Sequence, residues 1–212
     1  GTREPIDSVR YIGNMSSGRT ASRLADALTG AGHRVTWLGA EDAITPDRPC
    51  AMPRFYSFED LSMQLQTLLA EDDYDAVIHA AAVSDFSVAS VLTQDGHPLD
   101  SHTGKLSSGS DLQLRLKSNP KLLDRIRSWS KKPDVCVIGF KLTDTEDLEQ
   151  RYAAVKKQFD DSGVDAVVHN DLTEISTKAH PFSLHTPKQT MVTCQDDKAL
   201  AKTINNLLET VS

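Results

Sequence analysis

The sequence predicts a doubly wound, Rossmann-like α/β domain with a mostly parallel sheet, a C-terminal antiparallel extension and a long active-site flap. Three observations predict it. The runs "YDAVIHAAA", "VCVIGFKL" and "VDAVVHND" are short and apolar without polar alternation, as in strands covered on both faces. They alternate with segments whose apolar residues recur at helical spacing, which calls for parallel pairing through crossovers. Near the end, "PFSLHT" and "QTMVTCQ" follow each other with no helix between them, so this pair forms a hairpin.

The elements follow in order. The first residues, "GTREPIDSVRYIGNM", read as an ordered loop with no strand before it. Residues 17–31 form a helix, because Ala21, Leu24, Ala25, Leu28 and Ala31 share one face and Gly30 and Gly32 end it. "HRVTWLGA" is a strand, and the prolines of "AEDAITPDRPCAMPR" make a loop. "FEDLSMQLQTLLAED" is a helix with Leu61, Leu65, Leu68 and Leu69 as its stripe. Residues 83–110, rich in Ser, Gly, Asp and His, have no sustained period and read as one long loop, the flap. "LQLRLK" alternates as a strand, and "NPKLLDRIRSW" starts a helix beside Pro120. "DTEDLEQRYAAVKKQFDDSG" is a polar-faced helix, and "DKALAKTINNLLETV" a closing one. No repeat interrupts the pattern, so residues 1–212 are read as a single domain.

Composition bounds the function. With 39% hydrophobic and 25% charged residues, this is the make-up of an ordinary globular protein. A net charge of −7 argues against nucleic-acid binding, and no apolar run approaches a membrane span. Three scattered cysteines (Cys50, Cys136 and Cys194), with no signal peptide in view, fit a reducing cytoplasm. The seven histidines show no metal-ligand spacing, so no protein-only metal site is expected.

Four stretches carry chemistry. "NMSSGRTA" brings Asn14, Ser16, Ser17 and Gly18 to a helix N-terminus, where N–H groups and the dipole favour an anion. Alone it is equally a serine-capped helix, and it lacks the dinucleotide G-x-G-x-x-G pattern. "AAAVSDF" delivers Ala82, Asp85 and Phe86 past a strand's carboxyl end, where open α/β sheets bind ligands. "GFKL" with Phe140 and "HND" with His169 and Asp171 end strands on the same edge. "TGKLSSG" places Lys105 on the flap, suited to clamping phosphates, although most such lysines are merely solvated. Tyr152 and Lys156 have the Y-x-x-x-K spacing of short-chain reductases, but the region upstream offers Ile138, Gly139 and Phe140 where that chemistry needs a serine.

Taken in order, "GTREPIDSVRYIGNMSSG", "AAAVSDF", "GKLSSG", "LKSNPKLL", "IGFKL" and "VDAVVHND" resemble the phosphopantothenoylcysteine synthetases, the phosphopantothenate–cysteine ligases of coenzyme A biosynthesis. The resemblance covers essentially the whole chain. It implies a ligase that activates 4'-phosphopantothenate with CTP or ATP and Mg²⁺, then passes the acyl group to cysteine. It assigns Asn14 to the acyl-nucleotide intermediate, Arg10 to a carboxylate or phosphate, and Lys105 to the first half-reaction. Asp85 and Phe140 fall where the family positions ribose and base, and Lys156 aligns with a family lysine of the triphosphate site. The family's N-P-D turn is here Asn119, Pro120 and Lys121; Asp160 stands where a second helix lysine is common; and "LSSG" after Lys105 resembles eukaryotic sequences. The resemblance further implies a homodimer, either a stand-alone enzyme or the synthetase half of a bifunctional one, and a short apolar strand directly ahead of Gly1. Two other readings are a nicotinamide-dependent reductase and a nucleotide-binding module without turnover.

Overall fold

The computed structural model describes residues 1–100, 104–107, 109, 111–177, 179–188 and 190–211, the last without its side chain. It opens with an antiparallel hairpin, β1 (Arg3–Pro5) and β2 (Tyr11–Gly13). The helix α1 (Arg19–Gly30) leads to a short parallel pair, β3 (Gly39–Ala40) and β4 (Arg54–Phe55). Then come α2 (Phe58–Glu71) and β5 (Ala76–His79). A separate antiparallel sheet follows, of β6 (Phe86–Thr93), β7 (Pro98–Leu99) and β8 (Leu112–Ser118). A 3₁₀ turn (Leu122–Arg125) runs into α3 (Ile126–Trp129). After these come β9 (Cys136–Thr143), α4 (Leu148–Ser162), β10 (Ala166–Asp171) and the hairpin of β11 (Phe182–His185) and β12 (Met191–Cys194). The helix α5 (Asp197–Val211) closes the chain.

The main sheet runs β12-β11-β10-β9-β5, with β5, β9 and β10 parallel and the last hairpin antiparallel. Successive residues of β9 and β10 point to opposite faces, as the strand period requires. Cys136, Ile138, Ala166 and Val168 pack with Leu24 and Leu28 of α1 and Leu200 and Ile204 of α5. Val135, Val137 and Val167 enter the other core with Leu69, Ile126 and Val155 from α2, α3 and α4. Helices on both faces make the fold doubly wound, and apolar residues on both sides of each strand explain the missing alternation. Burying a side chain such as Ile138 contributes about 2 kcal/mol relative to leaving it in water.

Four expectations are corrected. Residues 1–13 are not a plain loop: Arg3 to Pro5 pair with Gly13 to Tyr11. The flap is partly sheet: Phe86 to Thr93 pair with Ser118 to Leu112, just beyond it, across an irregularity between Val88 and Ser90, and with Pro98 and Leu99. That irregularity breaks the period that would mark β6 as a strand, whereas the alternation of "LQLRLK" falls on β8 as expected. The helix after Pro120 is broken into a 3₁₀ turn and one α-helical turn. "HRVTWLGA" pairs only at Thr36 and at Gly39–Ala40.

The central sheet is interrupted. Among the described residues β5 pairs only with β9, and β3 only with β4. Between them lies a cavity of about 350 Å³, lined by Trp37 and Gly39 on one side and by Ala76, Ile78 and His79 on the other. A slot flanked by two strand edges that are unpaired among the described residues is the geometry that one further strand would complete.

Burial lowers the His79 pKa to about 4. The unfolded imidazole, near 6.5, takes up a proton that the folded one refuses, so stability is full above about pH 6.5 and declines toward pH 4. Melting temperature measured from pH 7 to pH 4 is expected to fall, and His79→Gln to flatten that decline.

Candidate active site

The N-terminal hairpin is fastened to the end of β5. Thr2, fully buried, donates its N–H to the Ala82 carbonyl (3.1 Å), and its Oγ1 accepts from the Ser84 N–H (2.9 Å). A Cβ at Gly1 would lie 3.0 Å from the Ala82 carbonyl oxygen and 3.2 Å from that of Asn14, so three backbone segments converge there. Asn14 is exposed, and its carboxamide has no hydrogen-bond partner among the described residues. It is therefore free to meet a ligand.

Next comes the helix start. The cap of α1 is Gly18, not a serine, and it is left-handed (φ 71°) with no side-chain cap bond. Glycine is required twice over, because a Cβ there would also stand 2.7 Å from the Ala43 Cβ. The Ser17 hydroxyl accepts a long bond from the Arg19 N–H (3.4 Å) while its carbonyl accepts from the Ile44 N–H (3.0 Å), and Ser16 is exposed. No acidic residue occupies the first turn of α1, which leaves the positive end of its dipole uncompensated. Ser16 and Gly18 line the same cavity as Gly1 and Ala80.

The flap root is ordered by Asn119 and Glu4. Asn119 donates Nδ2–H to the Ser84 carbonyl (3.0 Å), accepts from Ser87 Oγ (3.0 Å) and donates its N–H to the Asp85 carbonyl (2.8 Å). The buried Glu4 accepts from Ser87 Oγ (2.8 Å) and from the Phe58 N–H at the start of α2 (3.1 Å). Asn119 and Pro120 thus shape the turn, and Lys121 reaches Asp85 with an Nζ to Oδ1 distance of 2.5 Å, both side chains exposed. Phe86 stands exposed beside them, whereas Phe140 is half-buried against the core that holds Leu24 and Phe182.

Arg10 lies between the hairpin and the flap. Its Nε donates to Asp7 Oδ2 (2.9 Å), and its Nη2 contacts the same oxygen and donates to the Leu106 carbonyl (3.0 Å). The two-bond grip expected for a substrate is made here to Asp7. Lys105, next to Leu106, is exposed.

A buried polar network caps β9 and β10. Thr143 Oγ1 bonds His169 Nε2 (2.8 Å) and Asp171, its register partner on β10. Arg151 of α4 lies 3.3 Å from Asp171, donates to the Thr145 carbonyl (2.7 Å) and to Thr173 Oγ1 (2.9 Å), and pairs with Glu174 (2.5 Å). Burial raises the Asp171 carboxyl, but bonds from Thr143, Thr173 and two backbone N–H groups outweigh it and hold the group well below the usual carboxylate range. His169 is pushed down by burial and by Arg151. This network holds the strand ends; its threonines and arginine have no sequence motif, and only the "HND" carboxyl end pointed to it.

Lys156 is not drawn into the N-terminal cluster: its ammonium pairs with Asp160 one helical turn away (2.6 Å), with both side chains exposed. Tyr152 is 54% exposed on the same helix, so the Tyr152–Lys156 pair does not form a reductase centre. Ser108, expected in the flap motif, lies outside the described residues. Asp7 and Lys121 were missed as site-building residues; the i, i+3 spacing of Asp7 and Arg10 is their nearest sequence signal. No helix among the described residues is long and apolar enough to cross a membrane.

Removing the Asp171 carboxylate would leave Arg151 with Glu174 as its remaining acidic partner and strip Thr143, Thr145 and Thr173 of the buried acceptor they share. Asp171→Ala is expected to lower the melting temperature by roughly 10 °C, checked by thermal denaturation near pH 7.

The chain is 31% identical over 183 residues to the coenzyme A biosynthesis bifunctional protein CoaBC of Thermococcus kodakarensis, covering 86% of this chain and 42% of that one. It is 32% identical over 174 residues to CoaBC of Methanocaldococcus jannaschii, covering 82% and 39%. The chain therefore spans about two fifths of the length of the curated relatives it matches. Among solved structures, the DNA/pantothenate metabolism flavoprotein from Streptococcus pneumoniae superimposes with a TM-score of 0.89 at 25% identity, covering 100% of this chain and 96% of that one. A Cab2 variant in complex with phosphopantothenate-cysteine shares the fold, with a TM-score of 0.77 at 17% identity over 100% of this chain and 84% of that one. Residues 1–210 match the DNA/pantothenate metabolism flavoprotein C-terminal domain, and the chain belongs to that family.

Proposed function

We propose that the chain is a phosphopantothenate–cysteine ligase that uses CTP or ATP. The observation that carries the reading is the convergence of Gly1, Asn14 and Ala82 beside a flap held next to Lys105, in a domain akin to bifunctional coenzyme A biosynthesis proteins. The Cab2 complex with phosphopantothenate-cysteine, the compound such a ligation would form, supports it. In the first half-reaction a carboxylate oxygen of 4'-phosphopantothenate attacks the α-phosphorus of the nucleotide. The bond to the β-phosphate oxygen breaks and pyrophosphate leaves. In the second, the cysteine amine attacks the acyl carbon, the bond to the nucleotidyl oxygen breaks, and the amine loses a proton as the nucleoside monophosphate departs.

Both steps gather negative charge on oxygen, so preorganised donors and cations stabilise them. The unengaged carboxamide of Asn14 is our assigned donor to the acyl-nucleotide oxygens, and the α1 N-terminus with Ser16, Ser17 and Gly18 our phosphate cradle. Lys105 meets the charge of the first step. Asp85 and Phe140 are the proposed ribose and base contacts, with Asp85 shared with Lys121. Magnesium supplies charge neutralisation on the triphosphate. We assign the ion to the nucleotide triphosphate it arrives with. The free cysteines suit a reducing compartment, and we place the enzyme in the cytoplasm.

Incubation with phosphopantothenate, cysteine, Mg²⁺ and either CTP or ATP is expected to release pyrophosphate with at least one nucleotide; no release with either would falsify the reading. Asn14→Ala is expected to accumulate the acyl nucleotide and Lys105→Ala to block its formation. An identical block in both variants would end that division of labour.

We also propose a homodimer. Tyr11 and Ile12 on the hairpin, and Phe86, Leu114 and Leu116 on the flap sheet, leave apolar side chains 37–51% exposed, as at surfaces that meet a second copy. Sedimentation is expected to give twice the chain mass, and Leu114→Glu with Leu116→Glu to give the monomer.

A further inference from the structure

We infer that Asp7 is the positioning residue of the flap: its carboxylate, with Arg10, holds the backbone of Leu106 and thereby the neighbouring Lys105 against the N-terminal hairpin. The inference rests on the reading of Lys105 as the lysine of the first half-reaction. Leu106 donates its N–H to Asp7 Oδ2 (3.0 Å), and its carbonyl accepts from Arg10 Nη2 (3.0 Å). Residues 104–107 belong to no strand or helix, and among the described residues these are the hydrogen bonds that tie them to the hairpin. The two bonds fix one residue from both sides, so its orientation is set as well as its position. The N–H that Asp7 holds belongs to the peptide joining Lys105 to Leu106. Because a peptide unit is planar, the Lys105 Cα is fixed with it.

The chemistry of Asp7 suits this role. Its side chain is wholly buried. Oδ1 accepts from the N–H of Val9 (3.0 Å) and of Arg10 (2.8 Å), and Oδ2 accepts from Arg10 Nε, Arg10 Nη2 and Leu106 N–H. Five donors converge on a side chain that has only acceptors. The Arg10 guanidinium, first among these, holds the carboxyl well below the usual carboxylate range, although burial alone would raise it. An asparagine would turn one NH₂ toward donors and leave the clasp frustrated. With every acceptor site turned to the protein, Asp7 is no base for substrate. Arg10 is oriented by the same carboxylate, so hairpin, guanidinium and flap form one unit.

The test uses trypsin, which cleaves after Lys105, at the peptide that Asp7 holds. In Asp7→Asn, cleavage at Lys105–Leu106 is expected to rise about 10-fold relative to cleavage elsewhere in the chain. Acyl-nucleotide formation is expected to fall at least 10-fold, in kcat more than in KM for phosphopantothenate, since a misplaced group loses rate steeply. Reaction of preformed acyl nucleotide with cysteine is expected to change less than about 2-fold. Leu106→Pro removes the N–H without touching Asp7; because trypsin does not cut a Lys–Pro bond, this variant is read by acyl-nucleotide formation, which is expected to fall at least 10-fold even where Asp7→Asn folds poorly. The double variant should lose no more than the worse single one. Unchanged cleavage in Asp7→Asn, or additive losses in the double variant, would overturn the inference. Failure of the ligase reading shows separately, as a parent chain that releases no pyrophosphate while the cleavage result still holds.

Discussion

The structure depends on the double burial of β9 and β10. Residues Val135 to Ile138 and Ala166 to Val168 are almost inaccessible, and alternate side chains enter two different cores. A slip by one residue would exchange the two sets of side chains and mismatch both layers of helices, so the register is tightly specified. The register in turn brings Thr143 beside Asp171 at the carboxyl ends, where β10 hands over to Arg151 and Thr173. Polar groups that would be costly inside the domain are thus gathered at its edge and satisfied there.

Around this frame the site is assembled by carboxylates that hold backbone rather than substrate. Glu4 joins the hairpin to the start of α2 and to Ser87 of the flap strand. Asp7 joins the hairpin to the flap itself. Asp60 and Ser57 close the entrance to α2 reciprocally, with Asp60 accepting from the Tyr56 N–H and Ser57 from the Asp60 N–H. Arg3, stacked 4.6 Å over the Tyr11 ring, stiffens the hairpin from its other side. A rigid support behind a few exposed groups, Asn14 and Lys105 among them, is what precise positioning requires.

Much of this was legible in the sequence, for identifiable reasons. The helices α1, α2, α4 and α5 and the strands β9 and β10 announce themselves because their burial is two-sided or periodic. The β11–β12 hairpin is visible because no helix separates its strands. What was hidden rests on contacts distant in sequence. In the flap sheet "LQLRLK" alternates visibly, but its partner β6 has an irregularity between Val88 and Ser90 and pairs with residues 19 to 32 positions away, so no local period marks it. The first hairpin has three-residue strands, too short for any pattern to declare. Of the site, "NMSSG" and Lys105 were conspicuous as loop chemistry. Asp7 was not, since its importance lies in a bond to Leu106, 99 positions away. Arg10 was noticed for its charge, but its present partner could not be read from the chain.

The Lys121–Asp85 pair has an electrostatic consequence beyond its two residues. A protein of net charge −7 repels a phosphorylated molecule at long range, and Asp85 at the strand edge would deepen that repulsion where it matters. Lys121 cancels the Asp85 charge within contact distance, and Arg10 does the same for Asp7. These two carboxylates are therefore neutralised locally inside an acidic envelope, which leaves Lys105 and the α1 N-terminus to set the charge of the rim. Dissolved salt screens the envelope over about 8 Å at physiological strength but hardly touches contacts made at the rim. Approach of a polyanionic ligand is thus eased by salt, and selection among such ligands is left to groups it touches directly.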